Sequence, residues 1–175
     1  MRYLLCIILG LVLSSMTIYD IKFEDAKTNK VFDLSKYRGK VIMIVNTASM
    51  CGFTKQYNEM QALWDKYKNN NFVIIAVPTN DFGSQEPKSD DEIVNFCEVN
   101  FDINFPIMKK VTSKGEDRHD FFKLVKKDFS MFSGPKWNFY KYIYDKEGKP
   151  LGWFSSVTKP NAKKIVDLIE KNISK

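Results

Sequence analysis

The sequence predicts an α/β protein in which a central mixed β-sheet is flanked by helices. Its 175 residues suit one domain that buries a core without disulfides or metals. Hydrophobic residues make up 44% and charged residues 27%, a balance that excludes a disordered tail, a coiled coil and a collagen-like chain. Short β-branched runs alternate with stretches whose apolar residues recur at helical spacing, and this alternation is typical of α/β proteins.

The spacing of apolar residues predicts the elements of the first half of the chain. Residues 19–23 alternate between apolar and polar, and residues 31–34 supply a partner strand across a turn. The continuous apolar run at 41–45 predicts a central strand covered on both faces. Helical spacing over 52–67 predicts an amphipathic helix, and residues 72–77 predict a second buried strand.

The second half adds helices and a hairpin. Residues 89–92 form a capping-box signature that begins a helix, and a further helix is predicted over 118–127. Residues 138–144 and 152–156 read as a hairpin, after which Pro160 is expected to open the last helix. This order of strands and helices fits a thioredoxin-like architecture.

Charge and metal-ligand counts exclude several functional classes. The net charge is +6, but the basic residues are scattered and no run marks a nucleic-acid-binding arm. A mildly basic surface explains this charge, and attraction to an anionic membrane surface is the alternative. The single histidine, His119, excludes a histidine-rich zinc site, and three cysteines exclude a four-thiolate site. Because His119 lies in a polar stretch, we expect it to be a surface residue.

The amino terminus is typical of an export signal. Residues 3–13 form an apolar run behind Arg2, and small residues Ser14 and Ser15 follow it. We therefore divide the chain into a signal peptide at 1–15 and a single domain at 16–175. An uncleaved anchor or a buried segment of the fold are the alternatives. Export predicts the periplasm in a Gram-negative source and the secretory pathway otherwise.

Signal cleavage would remove Cys6 and leave two cysteines, Cys51 and Cys97. In an oxidising compartment such a pair can form a disulfide. A permanent structural bridge and a redox-active pair both remain open on this count alone.

Cys51 has the position of a reactive thiol. It follows the strand at 41–45 and directly precedes the predicted helix, whose unpaired N–H groups and dipole favour the thiolate. A small buried apolar residue is the alternative interpretation. Thr54 stands where a Cys-x-x-Cys motif would carry its second thiol, which disfavours a dithiol reductase.

Three ordered motifs resemble those of glutathione peroxidases: NTASMCGFT at 46–54, FGSQEP at 82–87 and KWNF at 136–139. The similarity runs from about residue 19 to the end of the chain. It implies that Cys51 is the peroxidatic residue, in the cysteine rather than the selenocysteine branch. It also implies that Gln85, Trp137 and Asn138 are its polar partners, whose amide and indole N–H groups stabilise the thiolate and the polarised peroxide. No cofactor or metal is implied.

The resemblance also implies how the enzyme is recycled. Cys97 matches the resolving cysteine of the thioredoxin-dependent members, so a Cys51 sulfenic acid would condense with it to a disulfide that a thioredoxin-like protein reduces. The expected substrates are hydrogen peroxide and organic or lipid hydroperoxides, in an antioxidant role. Recycling by glutathione with Cys97 as a bystander, and a sensor that relays the disulfide to a partner protein, are alternatives. A secreted binding module with an inert Cys51–Cys97 bridge is the third.

The sequence departs from the family pattern at Thr79, Asp81 and Lys88, which affects binding details rather than the reaction. The segment between residues 127 and 137 is short and lacks the long loop of tetrameric, glutathione-using relatives. The resemblance therefore implies a monomer or weak dimer with an open site that admits bulky lipid hydroperoxides.

Overall fold

The computed structural model describes residues 16–174, so the predicted signal segment and Cys6 lie outside the described residues. Two 3-10 turns occupy Ile18–Asp20 and Leu34–Tyr37. The strands are β1 (Lys22–Glu24), β2 (Val31–Asp33), β3 (Val41–Thr47), β4 (Phe72–Pro78), β5 (Lys141–Tyr144) and β6 (Pro150–Phe154). The helices are α1 (Gln56–Tyr67), α2 (Asp90–Phe101), α3 (Asp120–Asp128) and α4 (Lys163–Ile173).

A four-stranded mixed sheet forms the centre of the fold, in the order β4-β3-β5-β6. β3 pairs with β4 in parallel and with β5 in antiparallel register, and β5 and β6 form an antiparallel hairpin. Every residue of β3 and β4 is buried, as the continuous apolar runs predict. β1 and β2 form a separate antiparallel hairpin in which Phe23 lies opposite Phe32.

The sheet separates two hydrophobic clusters because successive residues of a strand point to opposite faces. Val41, Met43 and Val45 face the cluster that contains residues of α1, α2 and α4. Ile42 and Ile44 face the cluster that contains residues of α3 and the amino-terminal turn. Cys51 and Cys97 both belong to the first cluster. None of the helices within residues 16–174 has the length and apolar character needed to cross a membrane.

Several element boundaries differ from the sequence prediction. β1 begins at Lys22 rather than residue 19 because Ile18–Asp20 form a 3-10 turn, β6 spans Pro150–Phe154 rather than 152–156, and α3 begins at Asp120 rather than residue 118. α1 begins at Gln56 rather than residue 52, because residues 51–55 form turns, among them the bond from the Thr54 N–H to the Cys51 carbonyl. β5 begins at Lys141 because Phe139 has a φ of +65°, which interrupts an extended strand. The prediction that Pro160 opens the last helix was wrong, since it lies in a turn closed by the bond from the Ala162 N–H to the Lys159 carbonyl.

The prediction that His119 is a surface residue was also wrong. Its ring is half-buried and stacks on Phe23, with ring centroids 4.5 Å apart. Its Nδ1 accepts a hydrogen bond from the Phe121 N–H at 3.2 Å and thereby caps α3. Burial lowers the pKa of His119, so the imidazole contributes mainly as a neutral packing and capping group.

Candidate active site

Cys51 lies at the carboxyl end of the parallel strand pair. β3 and β4 end side by side, where Thr47 lies opposite Pro78, and the loops that follow them meet. The Met50 N–H donates to the Gln85 carbonyl at 3.0 Å, which joins the loop after β3 to the loop after β4. The Cys51 residue is 8% exposed, so its thiol is screened from bulk water but not sealed off.

Thr54 fixes the turn that presents the Cys51 thiol. Its hydroxyl accepts from the Cys51 N–H at 3.0 Å and donates to the Ala48 carbonyl at 2.9 Å. The Phe53 N–H points at the Cys51 sulfur at 3.4 Å. A backbone donor aimed at the sulfur stabilises a thiolate more than a thiol. Thr54, which stands where a dithiol motif would have its second cysteine, thus holds the turn that contains Cys51.

Gln85 and Asn138 lie in direct contact. The Asn138 Nδ2 donates to the Gln85 Oε1 at 3.1 Å, and Asn138 is fully buried. This bond uses the oxygen of the Gln85 amide and leaves its NH₂ group available as a donor. The structure therefore brings together two of the polar partners predicted from the sequence.

Trp137 lies at the open edge of this site. It is 39% exposed, and its ring lies 6.2 Å from that of Phe82, centroid to centroid. Gly83 has a φ of +66°, and a Cβ there would lie 3.6 Å from both the Trp137 ring and the Gln85 side chain. Glycine thus suits this position because it adopts a positive φ without strain, and it adds no side chain between Trp137 and Gln85.

The sulfur of Cys51 does not bond directly to the predicted partners in this state. Among residues 16–174, it accepts its hydrogen bond from Phe53 and not from Gln85, Trp137 or Asn138. The loop that carries Cys51 is joined to Gln85 by the backbone bond from the Met50 N–H to the Gln85 carbonyl, and Gln85 contacts Asn138 through its side chain.

Glu86 is a buried carboxylate to which the sequence analysis assigned no role, although it lies within the second motif. Its Oε2 accepts from the Ser49 N–H at 2.8 Å and from the Ser49 hydroxyl at 2.9 Å. Burial raises the pKa of Glu86, while the bonds from Ser49 oppose that rise. Glu86 thereby ties the Cys51 loop to the loop after β4. The only sequence signal was a charged residue inside an otherwise neutral motif.

Lys141 is a second missed residue, and it is fully buried at the start of β5. Burial lowers the pKa of Lys141 to about 7. The available sequence signal was a lysine within a run of aromatic and apolar strand residues three positions after Asn138.

Cys97 is buried on α2 and is a free thiol, as is Cys51. Burial raises the pKa of Cys97 to about 12, with the neighbouring Tyr57 side chain acting in the opposite direction. A thiol with this pKa is almost wholly protonated at neutral pH and is a poor nucleophile while α2 is folded. The predicted resolving cysteine therefore lies in the same cluster as Cys51 but is unreactive where it stands.

A cysteine held in a turn near the surface, an amide pair and an exposed indole at the end of a thioredoxin-like sheet define a thiol-based oxidoreductase. The family model described as glutathione peroxidase matches residues 18–126. Glutathione peroxidase-like peroxiredoxin 2 of Saccharomyces cerevisiae is 42% identical over 158 residues, covering 87% of this chain and 97% of the yeast protein. The Staphylococcus aureus glutathione peroxidase homolog BsaA is 42% identical over 148 residues, covering 82% of this chain and 92% of that protein.

Solved structures agree. The apo crystal structure of Trgpx is 36% identical, with a TM-score of 0.71 over 93% of this chain and 98% of that one. A thiol:disulfide interchange protein of the thioredoxin family from Chlorobium tepidum has a TM-score of 0.60 at 14% identity, covering 87% of this chain and 92% of that one, and shows the fold alone.

The chain belongs to the glutathione peroxidase family, and it is a peroxidase of the oxidoreductase class. The resemblance carried by the three motifs and the thioredoxin-like fold predicted from the order of elements are both confirmed.

Proposed function

We propose that this enzyme reduces hydrogen peroxide and organic hydroperoxides through Cys51, resolves the product with Cys97 and is recycled by a thioredoxin-like protein. The observation that supports this most is the placement of two free thiols in one hydrophobic cluster, one of them in a turn and the other on a helix. The yeast relative is named a glutathione peroxidase-like peroxiredoxin, and this name supports peroxide reduction by a thiol.

The first step is attack of the Cys51 thiolate on one peroxide oxygen. The O–O bond breaks, Cys51 becomes a sulfenic acid, and the departing oxygen leaves as water or an alcohol after it takes a proton. Donors that face the departing oxygen lower the barrier because negative charge develops there. The free NH₂ group of Gln85 and the indole N–H of Trp137 are the groups we assign to this task. This chemistry uses no prosthetic group.

The second step joins the two cysteines. The Cys97 sulfur attacks the Cys51 sulfenic acid, a disulfide forms, and the hydroxyl leaves with the Cys97 proton as water. A reduced dithiol protein then donates two electrons and two protons to restore both thiols.

The second step requires α2 to open, because Cys97 is fully buried and protonated in the folded helix. Two of the twelve residues of this helix, Ile93 and Cys97, are buried. Val94, Phe96 and Phe101 pack against the core from partly buried positions, and Val99 is 72% exposed. Helices with few buried contacts open at low free-energy cost. The structure of α2 thus supports transient release of Cys97.

Lipid hydroperoxides are included in the proposed substrates because a basic cleft is lined by Lys136, the residue before Trp137. The cleft has a volume of about 270 Å³ and includes the exposed side chains of Met131 and Phe132. Its basic residues are Lys114, Arg118, Lys126 and Lys136. Apolar surface bordered by cations suits an anionic amphiphile.

We test the route with the reduced chain and one equivalent of hydrogen peroxide, followed by peptide mass spectrometry. We expect a Cys51–Cys97 disulfide that thioredoxin opens and glutathione does not. Cys97→Ser should stop thioredoxin-dependent turnover while Cys51 still consumes one equivalent of peroxide. Val99→Ser, an exposed change on the same helix, is the matched control and should turn over normally. Full turnover of Cys97→Ser with thioredoxin would overturn the route, and turnover with glutathione alone would favour the glutathione alternative.

We further propose that the enzyme is exported and works as a monomer or weak dimer. The first proposal is supported by the apolar run at 3–13, and the second by the short segment between 127 and 137. Mass spectrometry of the protein secreted by its source and sedimentation equilibrium test these two points. An intact amino terminus in the cell interior, or a stable tetramer, would contradict them.

A further inference from the structure

Within residues 16–174, the buried Lys141 side chain has no carboxylate among its hydrogen-bond partners. Its Nζ donates to the Gln56 Oε1 at 2.5 Å and to the Thr158 carbonyl at 2.6 Å, with the Ser155 carbonyl at 3.5 Å. Glu59 of α1 is the ionisable group that acts on it through space, and Glu59 itself pairs with Lys159 at 3.4 Å.

A position of this kind in a strand is usually apolar, because burying a charge against neutral acceptors is costly. Lys141 lies opposite Val45 of β3 and Phe154 of β6, where an apolar side chain would pack without that cost. We therefore look for a role of Lys141 that depends on its hydrogen-bond donors, which an apolar residue would lack.

A continuous hydrogen-bond chain leads from Lys141 to the proposed active site. Gln56, which accepts from Lys141, donates from its Nε2 to the Ser156 carbonyl at 2.6 Å. The Ser156 hydroxyl donates to the Asn138 carbonyl at 2.6 Å. Asn138 in turn donates to Gln85 at 3.1 Å. Each link in this chain is buried or partly buried.

The backbone that carries Asn138 needs such support. Phe139, the next residue, has a φ of +65°, a conformation that a non-glycine residue keeps only when its surroundings impose it. Asn46 bonds to the Trp137 carbonyl and to the N–H groups of Phe139 and Tyr140, and the Ser156 hydroxyl holds the Asn138 carbonyl between them. We therefore expect loss of the Ser156 bond to loosen Asn138 and its contact with Gln85.

We propose that Lys141 is a positioning residue for the peroxide step, which holds Asn138 against Gln85 through Gln56 and Ser156. Lys141 fixes the segment 155–158 through its bonds to the Ser155 and Thr158 carbonyls, and Ser156 of this segment donates to the Asn138 carbonyl. This inference rests on the proposed role of Gln85 and Asn138 in the first step. A pKa of about 7 means that the ammonium and the neutral amine of Lys141 are both populated near neutrality. The hydrogen bonds from Lys141 to Gln56 and Thr158 therefore weaken as the pH rises.

The test compares two reactions of Cys51 in a Cys97→Ser background, which isolates the first step. One is the reaction with hydrogen peroxide, which needs the Gln85 donor, and the other is alkylation by iodoacetamide, which does not. The variants are Lys141→Met, Ser156→Ala and the double variant. Lys149→Met changes an exposed lysine of the neighbouring hairpin turn and is the matched control.

We expect each variant to react with peroxide about tenfold more slowly, which is the size of effect a lost hydrogen bond in a positioning chain produces. The double variant should lose no more than either single variant, because both cut one chain. Alkylation should change by less than about twofold, because the thiolate itself is untouched. The control should match the parent in both reactions.

Ser156→Ala removes a single hydroxyl, so it decides the question even if Lys141→Met does not fold. A peroxide rate equal to that of the parent in Ser156→Ala would overturn the inference. An equal loss in alkylation would also overturn it, because it would indicate a general disturbance of the Cys51 turn. Additive losses in the double variant would show two separate effects and would reject the chain. If the parent itself does not react with peroxide, the proposed function fails first and this inference with it.

Discussion

Opening of α2 is expected to set the rate of disulfide formation, and the helix cap gives a way to change it. The Ser89 hydroxyl accepts from the Glu92 N–H at 3.3 Å, and the Glu92 carboxylate accepts from the Ser89 N–H at 2.8 Å. Ser89→Ala removes the serine half of this capping box on an exposed residue. Loss of such a cap costs about 1 kcal/mol of helix stability.

The expected effect is an acceleration. A cost of about 1 kcal/mol multiplies the opening equilibrium about fivefold at room temperature. We expect attack from inside the folded helix to be slow, because burial raises the pKa of the Cys97 thiol from 9.0 to about 12 and leaves its thiolate about a thousandfold rarer. The rate through the opened helix should therefore rise by the full factor, although the variant is less stable.

The assay uses stopped-flow mixing of Cys51-oxidised enzyme with trapping of free thiols at each time point. Disulfide formation, and the alkylation of Cys97 in the reduced enzyme, should both be about fivefold faster in Ser89→Ala. Thr17→Ala is the matched control, since the Thr17 N–H and hydroxyl both donate to the Asp20 carboxylate at 2.8 Å at the start of a turn beside the opposite hydrophobic cluster. An unchanged or slower rate in Ser89→Ala would show that Cys97 reacts from within the helix and would refute this reasoning.

Three further predictions concern stability. Folding lowers the pKa of Lys141 from 10.5 to about 7, so the folded state binds fewer protons than the unfolded state between these two values. The free energy of unfolding of the wild type should therefore rise relative to that of Lys141→Met, by up to about 1.4 kcal/mol per pH unit between pH 7 and 9. Urea unfolding at these pH values measures the difference, and a constant value would contradict the assigned pKa. Burial raises the pKa of Glu86, so the wild type loses stability as the pH rises through that pKa. The melting temperature of Glu86→Gln should therefore rise relative to that of the wild type from pH 4 to pH 7. A relative fall over this range would be inconsistent with burial as the cause. Phe139→Ala empties a fully buried site edge-on to Tyr57, with ring centroids 5.5 Å apart, and should cost about 3–5 kcal/mol in urea unfolding; a loss below about 1 kcal/mol would mean that the site collapses around the gap.

Elements with a strong local signal were predictable from the sequence. β3 and β4 are continuous apolar runs, and the box at Ser89 and Glu92 begins α2 where it was expected. The three motifs that carry Cys51 and its predicted partners indicated the site, and the amide contact between Asn138 and Gln85 confirms that two of these motifs meet.

Elements whose boundaries depend on distant contacts were predicted less well. Helical spacing extends back to residue 52, but the bonds that Thr54 makes to Cys51 and Ala48 keep that segment in turns. Pro160 was compatible with a helix start, yet the turn at Lys159 and Ala162 delays α4 to Lys163. Local propensity leaves such choices open, and tertiary contacts decide them.

The sequence by itself determined the fold class and the family, and it predicted Cys51 as the reactive thiol, because apolar period and motif order are properties of neighbouring residues. Only the tertiary structure decided that Cys97 is held unreactive and that Lys141 and Glu86 are buried beside the site. Burial and hydrogen bonding depend on groups remote along the chain: Lys141 finds its acceptors at Gln56 and Thr158, which meet only when α1 and the loop after β6 pack against the sheet.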